Sequence, residues 1–361
     1  MSARLRVAVV GGGIGTQHID ALIRLPEQFE LVAFCDIDPA KAEAVGSRYE
    51  IGSVTTSYEQ LLARDDVDII DLCTPAGLHV AQTEAALEAG KHVICEKPLA
   101  GSLAEVDRLT TLAETVDKHI SPIFQYRFGN GFRRLLHLRD KGLLGKTYLA
   151  TVETHWRRGA SYYAVPWRGR FATELGGSLT SHAIHAHDML MHALGPVRSV
   201  HARTATRVNP IETEDCAVVS LELADGALAA LSVTMGAAVE HSRLRFCFEH
   251  VTVESNVSPY RPHLEPWRFD AGDNSAKAEI DAALAGFVPW PEHFEGQFSR
   301  LHVALTAGDR PPVTLADSRA SIELLTAAYC SARTGESISL PIGPDHPWYH
   351  SWRPRSGGPD G

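Results

Sequence analysis

The sequence predicts an α/β protein of two domains: a doubly wound parallel sheet first, then a domain built on an antiparallel or mixed sheet. Three observations predict this. Short apolar runs alternate with amphipathic stretches over residues 1–122. After that the alternation stops, and long β-rich stretches follow. The 361 residues also exceed what one ordinary core accommodates.

Residues 7–10 are an apolar strand that runs into glycines and then a helical stretch, 18–24. Residues 31–35 are a second buried strand ending at Asp36, and Asp38 caps a helix that Pro39 opens. Residues 57–60 read as a capping box. A strand at 67–73 leads to a helix at 78–89 stopped by Gly90, and a strand follows at 92–95. Ser102 with Glu105 caps the next helix. Such alternation means βαβ units and a parallel sheet. Beyond it, 132–141 is a helix closed by Gly142, and strands are expected at 147–155, 216–223, 227–235 and 243–254. Few helices separate the last three, hence the antiparallel or mixed sheet. Helices are expected at 293–307 and 315–334. The division expected is 1–122, 123–350, and a polar, Gly/Pro-rich flexible tail at 351–361.

Apolar residues make up 44% and charged residues 22%, as in globular proteins. The net charge of −10 argues against a nucleic-acid partner, which needs a basic face. There is no long uncharged apolar run and no signal-peptide core in the first residues, so no membrane association and a cytoplasmic location are expected. The six cysteines are scattered without a C-x-x-C, and Cys35, Cys73 and Cys95 read as small buried hydrophobes.

Gly11-Gly12-Gly13-Ile14-Gly15-Thr16 follows a strand and opens a helix. Glycines there let a backbone approach a pyrophosphate, whose charge the helix N-terminus favours. The match to G-x-G-x-x-G is imperfect, because Thr16 holds the third glycine position. Asp36 stands where an acid bonds ribose hydroxyls, and no Lys or Arg follows before Lys41, so NAD is expected over NADP. Asp38 reads as a helix cap rather than a cofactor contact.

Two further segments carry a resemblance. Thr74-Pro75-Ala76-Gly77-Leu78-His79 precedes Ala89-Gly90-Lys91-His92-Val93-Ile94-Cys95-Glu96-Lys97-Pro98, and Gly176-Gly177 precedes Ser181, His185 and Asp188. These resemble the T-P-x-x-x-H … A-G-K-H-V-x-x-E-K-P and G-G-x-x-x-D-x-x-x-H-x-x-D signatures of the Gfo/Idh/MocA oxidoreductases, over nearly the whole chain. The resemblance implies an N-terminal Rossmann domain and a C-terminal α+β domain with a large open mixed, mainly antiparallel sheet that often also builds a dimer or tetramer. It implies a cofactor set of Gly11, Gly13, Ile14, Gly15, Asp36, Thr74, Pro75, His79, Glu96, Lys97, Trp167 and Arg168. It places Lys97 beside the nicotinamide and His185 beside a substrate hydroxyl.

The chemistry implied is hydride transfer between a secondary hydroxyl of a sugar, polyol or glycoside and the cofactor. Oxidation of a carbinol also releases a proton, and Lys97 suits this if its pKa falls from about 10.4 toward neutrality. His185 relays that proton. Ser181 departs from the pattern, standing where the family has an acid, which puts a direct carry-over of substrate in doubt. Arg127, Tyr163 and His182 are candidate substrate contacts, and Tyr162, Tyr163 and Trp167 offer faces for a sugar. His182, His185, His187 and His192 invite a metal reading, but no metal is expected. His18 reads as packing at its helix start. Three alternatives remain: a dihydrodiol or nucleotide-sugar dehydrogenase, a cofactor-sensing regulator on the same fold, and a metal-dependent hydrolase. Retention of Glu96-Lys97-Pro98 and His185 disfavours the regulator.

Overall fold

The computed structural model describes residues 4–354. The chain divides into two compact units, residues 1–124 with 293–319, and residues 125–292 with 320–361. The sequence reading assigns 293–319 to the second domain, and the structure returns that segment to the first.

The first unit contains β1 (Leu5–Val10), α1 (Gly15–Ile23), β2 (Phe29–Cys35), α2 (Pro39–Arg48), β3 (Val54–Thr55), α3 (Tyr58–Leu62), β4 (Ile69–Leu72), α4 (His79–Glu88), β5 (His92–Cys95), α5 (Leu103–Thr115) and β6 (Ile120–Pro122). The strands form one parallel sheet in the order β3-β2-β1-β4-β5-β6. The order reverses between β1 and β4, which makes the carboxyl ends of these two strands the switch point of a doubly wound fold. Caps fall where local chemistry sets them. Asp38 accepts from Ala40 and Lys41 N–H, and Ser102 accepts from Glu105 N–H. The helix at 293–307 covers this unit's core, where Phe294, Phe298 and Leu301 join Val9, Ile19 and Phe29.

The second unit opens with α6 (Asn130–Asp140), β7 (Thr147–Arg157), α7 (Ala160–Tyr163) and α8 (Phe171–Glu174). A π-helical turn, Leu179–Ala183, then runs into α9 (Ile184–Leu194). Next come β8 (Val197–Ala205), β9 (Cys216–Leu223), β10 (Leu228–Thr234), β11 (Gly236–Phe248), β12 (Val251–Glu254), β13 (Arg268–Ala271) and α10 (Asn274–Ala285). The chain continues through α11 (His293–Ala307) of the first unit, α12 (Leu315–Thr334), which crosses the boundary between units, and β14 (Ile338–Ser339). The eight strands run β13-β12-β11-β7-β10-β9-β8-β14, antiparallel except for the parallel pair β7–β10. Along β7, Ala150, Val152, Thr154 and Trp156 face inward, as period-2 alternation requires.

Two expectations need correcting. Residues 243–254 are two strands joined by a turn, not one. Leu244, Phe246 and Phe248 are buried at even positions, but Val251 and Val253 at odd ones, a shift of phase that a continuous strand cannot accommodate. The segment from 351 does not begin as a flexible tail. Trp352 is fully buried, donates its indole N–H to the Leu175 carbonyl at 2.6 Å and stacks on Tyr329. The rest of that expected tail, 355–361, lies outside the described residues. Among the described residues, no helix is long and apolar enough to cross a membrane.

Candidate active site

In the first unit, the residues singled out by sequence gather at the carboxyl ends of β1, β2, β4 and β5. Gly11 directly follows β1 with φ +102°, and a Cβ there would lie 2.6 Å from the Cys73 carbonyl oxygen, so only glycine fits. Space beside Gly13 is open, and α1 starts at Gly15 without a side-chain cap. An uncapped helix start behind an open glycine turn fits a pyrophosphate. Thr16, in the third glycine position, bonds the Gly13 carbonyl at 3.1 Å. Asp36 follows β2; its Oδ2 accepts from Gly12 N–H at 2.7 Å and its Oδ1 from Asp38 N–H at 3.0 Å. The Lys41 ammonium stands 3.9 Å from Asp36.

Thr74 follows β4 and donates its hydroxyl proton to Gln82. Pro75 leads into a single 3-10 turn, Ala76–Leu78. His79 is buried between two carbonyls, Nδ1 2.8 Å from Pro98 O and Nε2 2.8 Å from Thr74 O. Burial holds its pKa below the ordinary histidine value, so the neutral ring donates its one N–H to one of these carbonyls and packs between the Thr74 loop and the Glu96-Lys97-Pro98 segment. Glu96 follows β5, and its Oε2 accepts from Lys97 N–H at 3.0 Å. The Lys97–Pro98 peptide is cis.

His18 has a different environment from the simple packing expected. It is fully buried, with Nδ1 at 2.9 and 3.0 Å from the two Asp71 oxygens and Nε2 at 3.3 Å from Glu96 Oε1. Sequence reasoning missed Asp71, although a carboxylate inside the apolar run 67–73 was a visible signal.

In the second unit, the π-helical turn and α9 carry Ser181, His182 and His185. Their start is held by Glu214, which accepts from Gly177 N–H at 3.0 Å, Leu179 N–H at 2.8 Å and the Tyr329 hydroxyl at 3.1 Å. Burial pushes the Glu214 carboxyl up to about 7. A Cβ on Gly177 would lie 1.9 Å from the Glu214 carbonyl oxygen, which accounts for the second glycine of the pair. Ser181 donates to Glu174 Oε1 at 2.8 Å, and Glu174 Oε2 accepts from Gly169 N–H. Arg168 lies 3.6 Å from Glu174, bonds the Tyr162 hydroxyl and stacks over the Trp167 ring. The Tyr163 ring meets Tyr162 edge-on. The His182 ring stands edge-on to Trp156 and tilted against Tyr162. His185 stacks on Tyr126, whose ring also stacks on His263. Arg127, singled out as a substrate contact, forms a buried two-pronged pair with Asp188 at 2.7 and 2.6 Å.

The histidines at 182, 185, 187 and 192 do not assemble a donor set. Among the described residues, the groups with metal-ligand donor atoms close together are His18/Asp71/Cys73 and Glu153/His155/His241. Burial pushes the His187 imidazole down to about 3. Sequence reasoning also missed Glu174, Glu214 and Tyr329, because their roles depend on contacts far along the chain.

A strand-glycine-helix turn, an acid after β2 and a lysine after β5 along one sheet edge define a nicotinamide-dinucleotide oxidoreductase fold. Residues 5–124 match the family model described as "Oxidoreductase family, NAD-binding Rossmann fold", and residues 132–254 match the GFO/IDH/MocA C-terminal domain. The chain belongs to the GFO/IDH/MocA family of oxidoreductases. It is similar to the WlbA dehydrogenase of Chromobacterium violaceum, solved with NADH and UDP-GlcNAcA, at 30% identity and a TM-score of 0.83 over 94% of this chain and 97% of that one. It is 32% identical over 213 residues to the D-glucoside 3-dehydrogenase of Escherichia coli, covering 57% of this chain and 59% of the relative. It is 27% identical over 230 residues to the myo-inositol 2-dehydrogenase of Thermotoga maritima, covering 62% and 66%. The chain thus spans about three fifths to two thirds of these two relatives.

Proposed function

We propose that this enzyme transfers a hydride between a secondary hydroxyl of a sugar, polyol or glycoside and NAD, with Lys97 as general acid/base assisted by His185. The observation that carries this is the placement of Gly11, Asp36, Thr74 and Lys97 just beyond the carboxyl ends of β1, β2, β4 and β5, around the switch point. When bound, the nicotinamide supplies the hydride acceptor or donor. Gly13, Ile14 and Gly15 would face its pyrophosphate and Asp36 its ribose, and that carboxylate would repel a 2′-phosphate, favouring NAD. Lys97 Nζ takes the hydroxyl proton in the oxidative direction and returns it in the reductive one. His185, held by its stack on Tyr126, bonds the same hydroxyl and passes the proton to solvent. Ser181 spends its one proton on Glu174, so toward a substrate hydroxyl it acts as an acceptor. Trp167, Arg168, Tyr163 and His182 belong to the aromatic and cationic surface a sugar ring would meet, whereas Arg127 is committed to Asp188.

The names of the relatives support the substrate class: position 3 of a D-glucoside and position 2 of myo-inositol are both secondary ring hydroxyls. A second reading, a carboxylated nucleotide-linked sugar, is supported by the full-length likeness to WlbA. We also propose a homodimer or homotetramer, checked by sedimentation. Absorbance at the reduced-nicotinamide band tests the function, using NAD or NADP with sugars, polyols, glycosides, uronates and a UDP-linked uronate, wild type beside Lys97→Ala. NAD reduction lost in the variant is the expected result. Tight NAD binding without turnover on any substrate would instead favour a sensor.

A further inference from the structure

His18 lies between two carboxylates and out of reach of water. Asp71 approaches Nδ1 with both oxygens, Glu96 approaches Nε2, and the ring is covered by Phe294 and Phe298 at centroid distances of 4.3 and 5.3 Å. An ionised carboxylate can only accept hydrogen bonds, so a ring nitrogen facing one must carry a proton. Two such nitrogens require an imidazolium. Burial opposes that charge, but the neighbouring negative charge outweighs it and raises the His18 pKa well above its ordinary value.

The network continues to Lys97. Glu96 uses Oε1 on His18 and Oε2 on the Lys97 backbone N–H, so its carboxylate links the buried imidazole to the Lys97 backbone. We propose that Asp71 and His18 are positioning residues for Lys97: Asp71 holds His18 as an imidazolium, His18 orients Glu96, and Glu96 sets the backbone of Lys97. This rests on the reading of Lys97 as general acid/base. Asp71 comes from β4 and Glu96 from the end of β5, and α11 brings the Phe294 and Phe298 rings against the imidazole. Cys73 lies 3.3 Å from Nδ1, and burial pushes its thiol up so that it stays neutral. His79 is within electrostatic reach of Glu96 and Lys97.

Nitrogen-15 NMR of histidine-labelled wild type, titrated from about pH 6 to 9 across the ordinary histidine range, reads the imidazolium directly. His18 is expected to keep both protons throughout. Asp71→Asn should release a proton from His18 within this window and add an ionisation to the pH profile of kcat/KM. Its kcat near pH 8 should fall about tenfold, part of the 10²–10⁴ expected of acid–base catalysis. Cofactor affinity, read by fluorescence quenching, should change less than about twofold, because the glycine turn and Asp36 are untouched. A neutral His18 in wild type, or an Asp71→Asn variant with unaltered kcat and pH profile, overturns the proposal while Lys97→Ala remains inactive. Lys97→Ala with full turnover would remove the role of Lys97 and the positioning role with it. The wild-type titration needs no variant, so the test stands even if Asp71→Asn fails to fold.

Discussion

Asp188→Asn separates a structural role for Arg127 from a substrate-binding one. The guanidinium of Arg127 donates from Nε and NH2 to the two Asp188 oxygens at 2.7 and 2.6 Å, and the side chains are only 6% and 1% exposed. Removing the carboxylate charge breaks a buried, two-pronged ion pair, which costs about 3–5 kcal/mol. In a unit of this size each kcal/mol lowers Tm by about 2–4 °C, so a loss on the order of 10 °C is expected. Calorimetry and urea unfolding at neutral pH measure it. High salt should leave the loss intact, because a buried pair is little screened. The paired replacement Arg127→Met with Asp188→Leu should recover most of the stability, since it removes both members of the pair together. A loss under about 1 kcal/mol for Asp188→Asn, or an Arg127→Met enzyme of normal stability that differs only in KM, would refute the assignment.

Two further outcomes follow from the second unit. Ser181→Asp would set a second carboxylate against Glu174, whose Oε1 now accepts the serine proton at 2.8 Å. Turnover should fall at neutral pH and partly return when Glu174→Gln is added; a single Ser181→Asp variant as active as wild type contradicts this. Glu214 holds its proton up to about 7 in the folded chain, against about 4.3 unfolded. Its contribution to stability is therefore fully present below the unfolded value, declines as pH rises toward 7 and is flat above it. The Tm advantage of wild type over Glu214→Gln should shrink from pH 5 to pH 8, and a constant difference would rule this out.

The sequence is legible where local chemistry decides. The Asp38 and Ser102 caps, the glycine turn after β1 and the alternation of strand and helix all depend on residues within a few positions of each other. The break at Glu249–His250 was also local, written as a change of phase between Phe248 and Val251, but the run of β-formers masked it. The partners of the site were of another kind. Glu214 and Tyr329 reach Gly177 from 37 and 152 positions away, and Asp71 reaches His18 across 53. No spacing rule pairs such residues; only the fold does. Asp71 inside an apolar strand was nevertheless a warning, because a buried carboxylate requires a partner. Glu174 sits only seven residues before Ser181, but the left-handed Leu175 and the glycines after it turn the chain back in a way that periodicity cannot foresee.

The return of α11 to the first unit bears on how the protein is made. Phe294, Phe298 and Leu301 complete the core around Val9, Ile19 and Phe29, and two of them roof the buried His18. The N-terminal sheet emerges from the ribosome early, yet its last layer is encoded some 170 residues further on. At about 5–20 residues per second the nascent sheet waits on the order of ten seconds or more with an apolar face uncovered. That interval is the natural moment for a chaperone to engage, and residues 1–124 expressed alone would carry the same uncovered face permanently.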